Sequence, residues 1–158
     1  ILVGLVGSEM CIRDSLLTRS IKTLSVRMKQ HNENAIAVSN YLSNHPKIEK
    51  VFFPGNDKRH KEIAEKQMDG FGGMMSFVID SDINGVKTFL KNLNLFTLAE
   101  SLGGVESLIE HPAIMTHASI DPSIREKLGI SETLLRISVG IEDVDDLISD
   151  LDQALSKI

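Results

Sequence analysis

The feature that most restricts the fold of this chain is a long helical pattern near its start. From Leu17, apolar residues recur at steps of three and four and stay nearly in phase as far as Leu42. That spacing places them on one face of an amphipathic helix. The pattern stops at His45-Pro46, and the residue before a proline disfavours the helical conformation. The sequence therefore predicts one long helix from Leu17 to about His45.

Two strand-like runs follow this helix. Residues 48–53 and Met74–Ile79 are rich in β-branched and aromatic residues and are closed by turn-forming or polar residues, which is typical of strands. Residues 58–68, between the two runs, have a helical composition. Residues 83–93 have helical spacing and follow Asp82, a candidate N-cap. The order so far is helix, strand, helix, strand, helix.

The second half of the chain predicts two more strands and a final helix. Residues 95–99 and 134–139 have strand patterns, and the segment between them contains Gly, Pro and His, so we expect it to be mostly loop and functional. Acidic residues at 143–146 begin a helix with one apolar face. With 158 residues and 42% hydrophobic content, we expect one α+β domain, with helices packed on a small, mainly antiparallel sheet.

The alternation within residues 134–139 singles out one charged side chain. Leu135, Ile137 and Val139 share one strand face, and Arg136 lies on the other. The apolar trio is expected to face the helices and leave Arg136 directed away from them. A guanidinium can hold the α-carboxylate of an amino acid through two parallel hydrogen bonds. On spacing alone, a solvated or salt-bridged arginine is the commoner case.

Other motifs are weaker candidates for function. Gly70-Phe71-Gly72-Gly73 precedes a strand instead of opening a helix, so it does not predict a phosphate cradle. His111 and His117 lack a third ligand at usable spacing, so no metal site is predicted. Ser101-Leu102-Gly103-Gly104 follows a predicted strand, and its glycines suit either a backbone approach to a ligand or a simple tight turn.

Composition argues against several classes of partner. The net charge of -5 is spread along a chain with one Tyr and no Trp, which does not favour nucleic-acid binding. The short apolar run at residues 1–6 is far below the roughly 20 residues of a membrane span. Cys11 is the single cysteine, so we expect no intramolecular disulfide and a cytosolic protein.

The first fifteen residues form a separate hypothesis. The chain begins with Ile rather than Met, and residues 8–15 (SEMCIRDS) resemble a translated sequencing adapter. We therefore expect residues 1–15 to be non-native, the domain to occupy residues 16–158, and a longer reading frame to have been cut.

Four strings in order resemble the cystathionine γ-synthase and γ-lyase family. They are RSIKTL at 19–24, FTLAESLGGVES at 96–107, PAIMTHAS at 112–119 and LLRISVGIED at 134–143. The resemblance extends from about Leu16 to Ile158. It implies the C-terminal small domain of an aspartate-aminotransferase-like (fold type I) enzyme that uses pyridoxal 5'-phosphate, with a homotetramer in the full-length protein.

The resemblance also assigns candidate roles by position. Arg136 corresponds to the family's substrate-carboxylate arginine, Ser101 and the backbone of Leu102 line the same subsite, and Glu100 lies at the edge of the cleft. Relatives that act on methionine tend to be apolar at the position of Glu100. The family's Schiff-base lysine and cofactor-anchoring residues have no counterpart in this sequence. We therefore expect no catalytic or cofactor-binding residue here, and no activity from this chain alone.

Several functions remain open from the sequence. The leading expectation is the substrate-binding part of a cystathionine γ-synthase or γ-lyase that acts on a sulfur amino acid. A methionine γ-lyase or an O-acyl-homoserine sulfhydrylase of the same family is an alternative, as is a non-catalytic amino-acid-binding α+β module.

Overall fold

A computed structural model describes residues 2–56 and 61–158 of the chain. The bounds of the helices are α1 Leu2–Ile21, α2 Leu24–Asn44, α3 Lys61–Gln67, α4 Ile83–Asn92, α5 Pro122–Lys127 and α6 Val144–Leu155. The bounds of the strands are β1 Ile48–Phe52, β2 Met74–Ile79, β3 Thr97–Leu98, β4 Leu108–Glu110 and β5 Leu134–Ser138. The first part of the predicted 58–68 helix lies outside the described residues.

The five strands form one sheet in the order β1-β2-β5-β4-β3. The β1–β2, β2–β5 and β4–β5 pairs are antiparallel, and β3–β4 is parallel. The expected α+β fold with a mainly antiparallel sheet is therefore confirmed. In the centre, Arg136 of β5 stands opposite Ser76 of β2 on one side and opposite Glu110 of β4 on the other.

One face of the sheet carries the hydrophobic core. Met75, Phe77 and Ile79 alternate along β2, and Leu135, Ile137 and Val139 alternate along the last strand and its continuation; all six are buried in one cluster with apolar residues of α2, α4 and α6. Burying alternate residues of a strand leaves the intervening ones on the opposite face. The prediction that the apolar trio of β5 faces the helices and Arg136 does not is confirmed.

Side-chain caps fix the start of the helices on this core. The carboxylate of Asp82 accepts hydrogen bonds from the backbone N–H groups of Asn84 and Gly85, as its position before α4 predicted. Asp143 caps α6 in the same way, through the N–H of Asp145. Buried polar residues of α2 also hold the end of β5, because His31 Nδ1 lies 2.7 Å from the carbonyl oxygen of Val139.

The prediction of one continuous helix from Leu17 is wrong, because α1 ends at Ile21 and α2 begins at Leu24. The carbonyl oxygen of Ser20 accepts hydrogen bonds from the hydroxyl of Thr23 at 3.1 Å and from Arg27 Nη2 at 2.9 Å. Such side-chain bonds compete with the helical ladder and interrupt it. The predicted end is correct, since α2 stops at Asn44, before Pro46.

The prediction that residues 100–133 are mostly loop needs a correction. Two elements interrupt this segment, β4 at Leu108–Glu110 and α5 at Pro122–Lys127. Strand β4 is buried at all three positions and pairs with both β3 and β5. The pairing of β4 with its two neighbours, and not an alternation in its own sequence, identifies it as a strand. The register of the β4–β5 pair places Glu110 beside Arg136.

Candidate functional site

The face of the sheet opposite the helices gathers polar side chains at its centre. Arg136 and Ser138 of β5 point to this face, and Glu110 lies directly across from Arg136. Leu108 stands across from Ser138 in the same register. The loop at residues 99–107 and the segment after β4 contribute further contacts to this face.

One nitrogen of the Arg136 guanidinium, Nη2, contacts two oxygen atoms. Its Nη2 lies 2.5 Å from Glu110 Oε2 and donates a hydrogen bond of 2.8 Å to the carbonyl oxygen of Glu100. The side chain remains 25% exposed. Nη1 and Nε donate no hydrogen bond to any residue that the structure describes. A guanidinium has five N–H donors, so Arg136 keeps donors free to bind a further acceptor.

Glu110 is a buried carboxylate with two different neighbours. Its side chain is 1% exposed, Oε2 forms the ion pair with Arg136, and Oε1 accepts a hydrogen bond from the hydroxyl of Thr116. The contact with Arg136 is an ion pair without the angles of a hydrogen bond. Thr116 Oγ1 also lies 2.8 Å from His117 Nδ1. Glu110 is not among the residues that the sequence motifs single out, although a charged residue directly after the apolar Leu108-Ile109 is a signal for it.

The predicted substrate-binding loop begins beside Arg136. Glu100 contacts Arg136 through its carbonyl oxygen, whereas Ser101 and Leu102 follow with exposed side chains. The N–H of Gly103 donates a hydrogen bond of 2.9 Å to the hydroxyl of Ser138. Gly103 has a φ of 76°, a conformation that favours glycine. The structure therefore brings Arg136 and Glu100 together and places Ser101 and Leu102 next in the same loop.

A second set of contacts ties this loop to the end of β5. The carboxylate of Glu142 accepts hydrogen bonds from both the backbone N–H (2.6 Å) and the hydroxyl (2.9 Å) of Ser107. The same hydroxyl accepts a hydrogen bond of 2.8 Å from the N–H of Gly140. These bonds join two of the strings noted in the sequence, 96–107 and 134–143, and fix the base of the loop relative to Arg136.

The histidine beside Glu110 has a structural environment. His111 is fully buried, and its Nε2 lies 2.8 Å from the carbonyl oxygen of Glu132. Burial lowers the pKa of His111 below its ordinary value, because a buried imidazole loses the hydration of its charged form. Since a carbonyl only accepts, Nε2 is the nitrogen that donates to it, and the lowered pKa favours the neutral ring.

A groove of about 460 Å³ lies elsewhere on the surface, between the first half of α2 and the segment that follows α3. Ser25, Met28 and Asn32 line one side of it, and Met68 and Asp69 line the other. It includes none of the predicted substrate-binding residues. No helix among residues 2–56 and 61–158 is long and apolar enough to span a membrane.

Comparison with known proteins agrees with the four strings and the sheet. The family model for Cys/Met metabolism pyridoxal-phosphate-dependent enzymes matches residues 3–156. The chain belongs to this family. A cystathionine γ-lyase from Dictyostelium discoideum is 54% identical over 144 residues, which are 90% of this chain and 37% of that protein.

Two solved structures share the fold. A cystathionine γ-synthase from Xanthomonas oryzae, in complex with cystathionine, is 46% identical with a TM-score of 0.83, over 88% of this chain and 36% of that one. A Campylobacter jejuni protein, a candidate O-acetylhomoserine (thiol)-lyase that contains a pyridoxyl-lysine phosphate, is 36% identical with a TM-score of 0.84, over 89% and 34% of the two chains. The chain thus spans little more than a third of these relatives.

The family's cofactor needs a lysine, and the described residues do not supply one at this site. No hydrogen bond or ion pair joins a described lysine to Arg136, Glu110 or Glu100. Lys47 Nζ donates instead to carbonyl oxygens near the end of α6, 2.9 Å away in the case of Leu155. Within the part of the chain that the structure describes, the guanidinium of Arg136 can bind an anionic group, and no lysine is hydrogen-bonded or ion-paired to it.

Proposed function

We propose that residues 16–158 are the C-terminal, substrate-binding part of a pyridoxal-phosphate-dependent transsulfuration enzyme, a cystathionine γ-synthase or γ-lyase. In this proposal Arg136 binds the α-carboxylate of a sulfur amino acid, and the loop at Glu100, Ser101 and Leu102 lines the same subsite. The observation that carries it is the partly exposed guanidinium of Arg136, which is held on one nitrogen and free on two.

The positions of the guanidinium nitrogens limit how a carboxylate would bind to Arg136. The two bidentate edges of a guanidinium, Nη1 with Nη2 and Nε with Nη2, both include Nη2. In Arg136 that nitrogen already donates to the Glu100 carbonyl. A bidentate α-carboxylate therefore has to share Nη2 with this carbonyl or replace it, while Nη1 or Nε supplies the second bond.

The cofactor, the assembly and the compartment are proposed on grounds other than the geometry of the site. Pyridoxal phosphate would be held by the part of the enzyme that the relatives have beyond the matched segment, and the homotetramer is proposed on the same resemblance. The cytosolic location is proposed from the single cysteine, Cys11. A methionine γ-lyase or O-acyl-homoserine sulfhydrylase remains the alternative, supported by the likeness to the Campylobacter structure. A non-catalytic binding module is less well supported, because the chain belongs to an enzyme family.

A chimaeric enzyme tests the role of Arg136. Residues 16–158 would replace the matched segment of the Xanthomonas cystathionine γ-synthase, and Arg136→Lys would be compared with Arg125→Lys, an arginine of α5 that donates to the carbonyl of Ala113. Hydrogen bonds to charged groups contribute about 1.5–3 kcal/mol, so kcat/KM for Arg136→Lys should fall roughly 10- to 100-fold. Equal kinetic constants for both variants would remove Arg136 from the substrate site.

The purified 158-residue chain gives a second test. Because its described residues place no lysine at the site, it should release added pyridoxal phosphate on dialysis. A stoichiometric absorbance of lysine-bound cofactor that survives dialysis would show that the chain itself holds the cofactor and would contradict the proposed division of roles.

A further inference from the structure

We propose that Glu110 is the positioning residue of Arg136: it fixes the guanidinium so that Nη2, together with either Nη1 or Nε, is directed at an incoming carboxylate. This inference rests on the proposed role of Arg136 as the substrate-carboxylate group. It assigns no direct contact with substrate to Glu110.

Burial ties Glu110 to Arg136. Glu110 is 1% exposed, and an ionised carboxylate removed from water is stable only with a charged or hydrogen-bonding partner. Arg136 is its charged partner, 2.5 Å away. The described surface pairs Lys29–Glu33 and Lys61–Glu65 differ in both respects, since their side chains are at least half exposed and their closest atoms are 3.9 and 3.8 Å apart. Exposed pairs of that kind form and break at little cost, whereas separating Glu110 from Arg136 would strand a buried charge.

Glu110 is itself fixed both at its backbone and at its carboxylate. Its backbone is fixed by the register of β4, which places it directly opposite Arg136 in the antiparallel pair with β5. Its carboxylate is fixed by the hydroxyl of Thr116, which donates to Oε1 while Oε2 meets Arg136. A carboxylate restrained at both oxygens presents a fixed acceptor, and the guanidinium beside it takes a fixed orientation.

The two contacts of Arg136 Nη2 differ in how easily a substrate can replace them. Arg136 Nη2 touches the buried carboxylate of Glu110 and the carbonyl of Glu100, a residue in an exposed loop. A loop carbonyl can turn to water at little cost, but a buried carboxylate cannot. A substrate carboxylate that needs Nη2 should therefore replace the Glu100 carbonyl and leave the Glu110 pair intact.

The kinetic test uses three variants in the chimaeric enzyme. Glu110→Gln keeps an oxygen for Arg136 and an amide for Thr116, so KM for the amino-acid substrate should stay within about threefold of the parent. Glu110→Ala frees the guanidinium and should raise KM roughly 10- to 100-fold, with a smaller change in kcat. Thr116→Val, at an exposed residue outside the sheet, should also raise KM, but by less than Glu110→Ala does.

A pair of ligands distinguishes positioning from general damage. L-Cysteine carries an α-carboxylate and cysteamine does not. In Glu110→Ala the inhibition constant of cysteine should rise by at least about tenfold, while that of cysteamine stays near the parent value. If both ligands weaken equally, or neither changes, Glu110 has only a structural role and the proposal is overturned.

A measurement on the 158-residue chain is independent of enzyme activity. Nitrogen-15 NMR of arginine side chains should show slow rotation of the Arg136 guanidinium, assigned by its loss in Arg136→Lys, and fast rotation in Glu110→Ala. Unchanged rotation overturns the positioning. If the rotation changes but Arg136→Lys leaves kcat/KM intact, Glu110 does orient Arg136, but Arg136 does not bind the substrate. Failure of the positioning proposal is therefore distinguishable from failure of the proposed function.

Discussion

The carboxylate of Asp150 in α6 accepts a hydrogen bond of 2.8 Å from the backbone N–H of Leu95. The N–H groups of Asn94 and Phe96 donate to the same carboxylate at 2.9 and 3.2 Å. Asp150 is 5% exposed. One side chain of the last helix thus holds the segment that leads into β3, from which the loop beside Arg136 departs.

We expect Asp150→Asn to destabilise the domain. The amide places an NH₂ group against backbone donors and leaves them unsatisfied, which costs about 1–3 kcal/mol. Denaturant unfolding would measure the loss, with the exposed Asp80→Asn as a control expected to change the free energy of unfolding by less than about 0.5 kcal/mol. Equal stability of the two variants would mean that Asp150 does not support the segment before β3.

The same aspartate predicts a loss of stability in acid. Burial alone would raise the pKa of Asp150, but the hydrogen bonds from Leu95, Asn94 and Phe96 outweigh burial and hold the pKa below its ordinary value. The stabilisation is therefore present above the unfolded pKa of about 4 and is lost as pH falls through the lower folded pKa. The difference in unfolding free energy between wild type and Asp150→Asn should shrink in that acid range; a constant difference would contradict the assignment.

His111 predicts a second pH dependence, at higher pH. Its folded pKa is lowered by burial, so the neutral ring stabilises the fold above the unfolded pKa of about 6.5, and this stabilisation falls as pH drops through the folded pKa. His111→Gln keeps a donor for the Glu132 carbonyl but cannot ionise. Its unfolding free energy should vary less with pH than that of wild type between about pH 8 and pH 5. Parallel pH profiles would contradict this.

Gly140→Ala should damage the base of the loop at residues 99–107. A Cβ at Gly140 would lie 2.7 Å from the backbone carbon of Glu106 and closer still to the carbonyl oxygen of Val105. Crowding against backbone costs about 1–3 kcal/mol. In Gly104→Ala the new Cβ meets the Glu106 side chain, 2.6 Å away at its nearest, and that chain can rotate. Thermal unfolding should show a lower Tm for Gly140→Ala only; an equal effect would remove the steric explanation.

Deleting residues 1–15 should leave the domain stable. Helix α1 crosses residue 15, but side chains 11–26 are exposed, and the buried positions of α2 begin at His31. The Tm should change by less than about 2 °C, whereas Leu42→Ala, which empties a buried core position, should lower it by several degrees. A loss of many degrees on deletion would make residues 1–15 part of the domain.

Glu100 is expected to affect substrate choice in the chimaeric enzyme. Its exposed carboxylate, next to the carbonyl that contacts Arg136, can accept hydrogen bonds from the second ammonium group of cystathionine. Glu100→Val should shift relative specificity from cystathionine towards methionine by about 1–3 kcal/mol. Glu106→Val, at an exposed residue of the same loop, is the matched control. An unchanged ratio of cystathionine to methionine activity would leave Glu100 as surface charge.

The features of the fold that depend on local sequence pattern were predicted correctly. The bounds of β2, the Asp82 cap and the core-facing trio of β5 follow from composition and alternation alone. The interruption between α1 and α2 after Ile21 was missed, because the hydrogen bonds to the Ser20 carbonyl depend on the rotamers of Thr23 and Arg27. Strand β4 was missed because it has three residues and no alternation. The contact of Glu110 with Arg136 was missed with it, since only the pairing of β4 with β5 brings the carboxylate to Arg136.

The strand order also sets the order in which the site can assemble during synthesis. Strand β5 lies between β2 and β4 but follows both in the chain. Until it emerges from the ribosome, β2 and β4 each present an unpaired edge, and such edges recruit other chains. Arg136 and its partner Glu110 meet only when β5 inserts, so premature termination before residue 134 would yield an aggregation-prone product rather than a domain with a partial site.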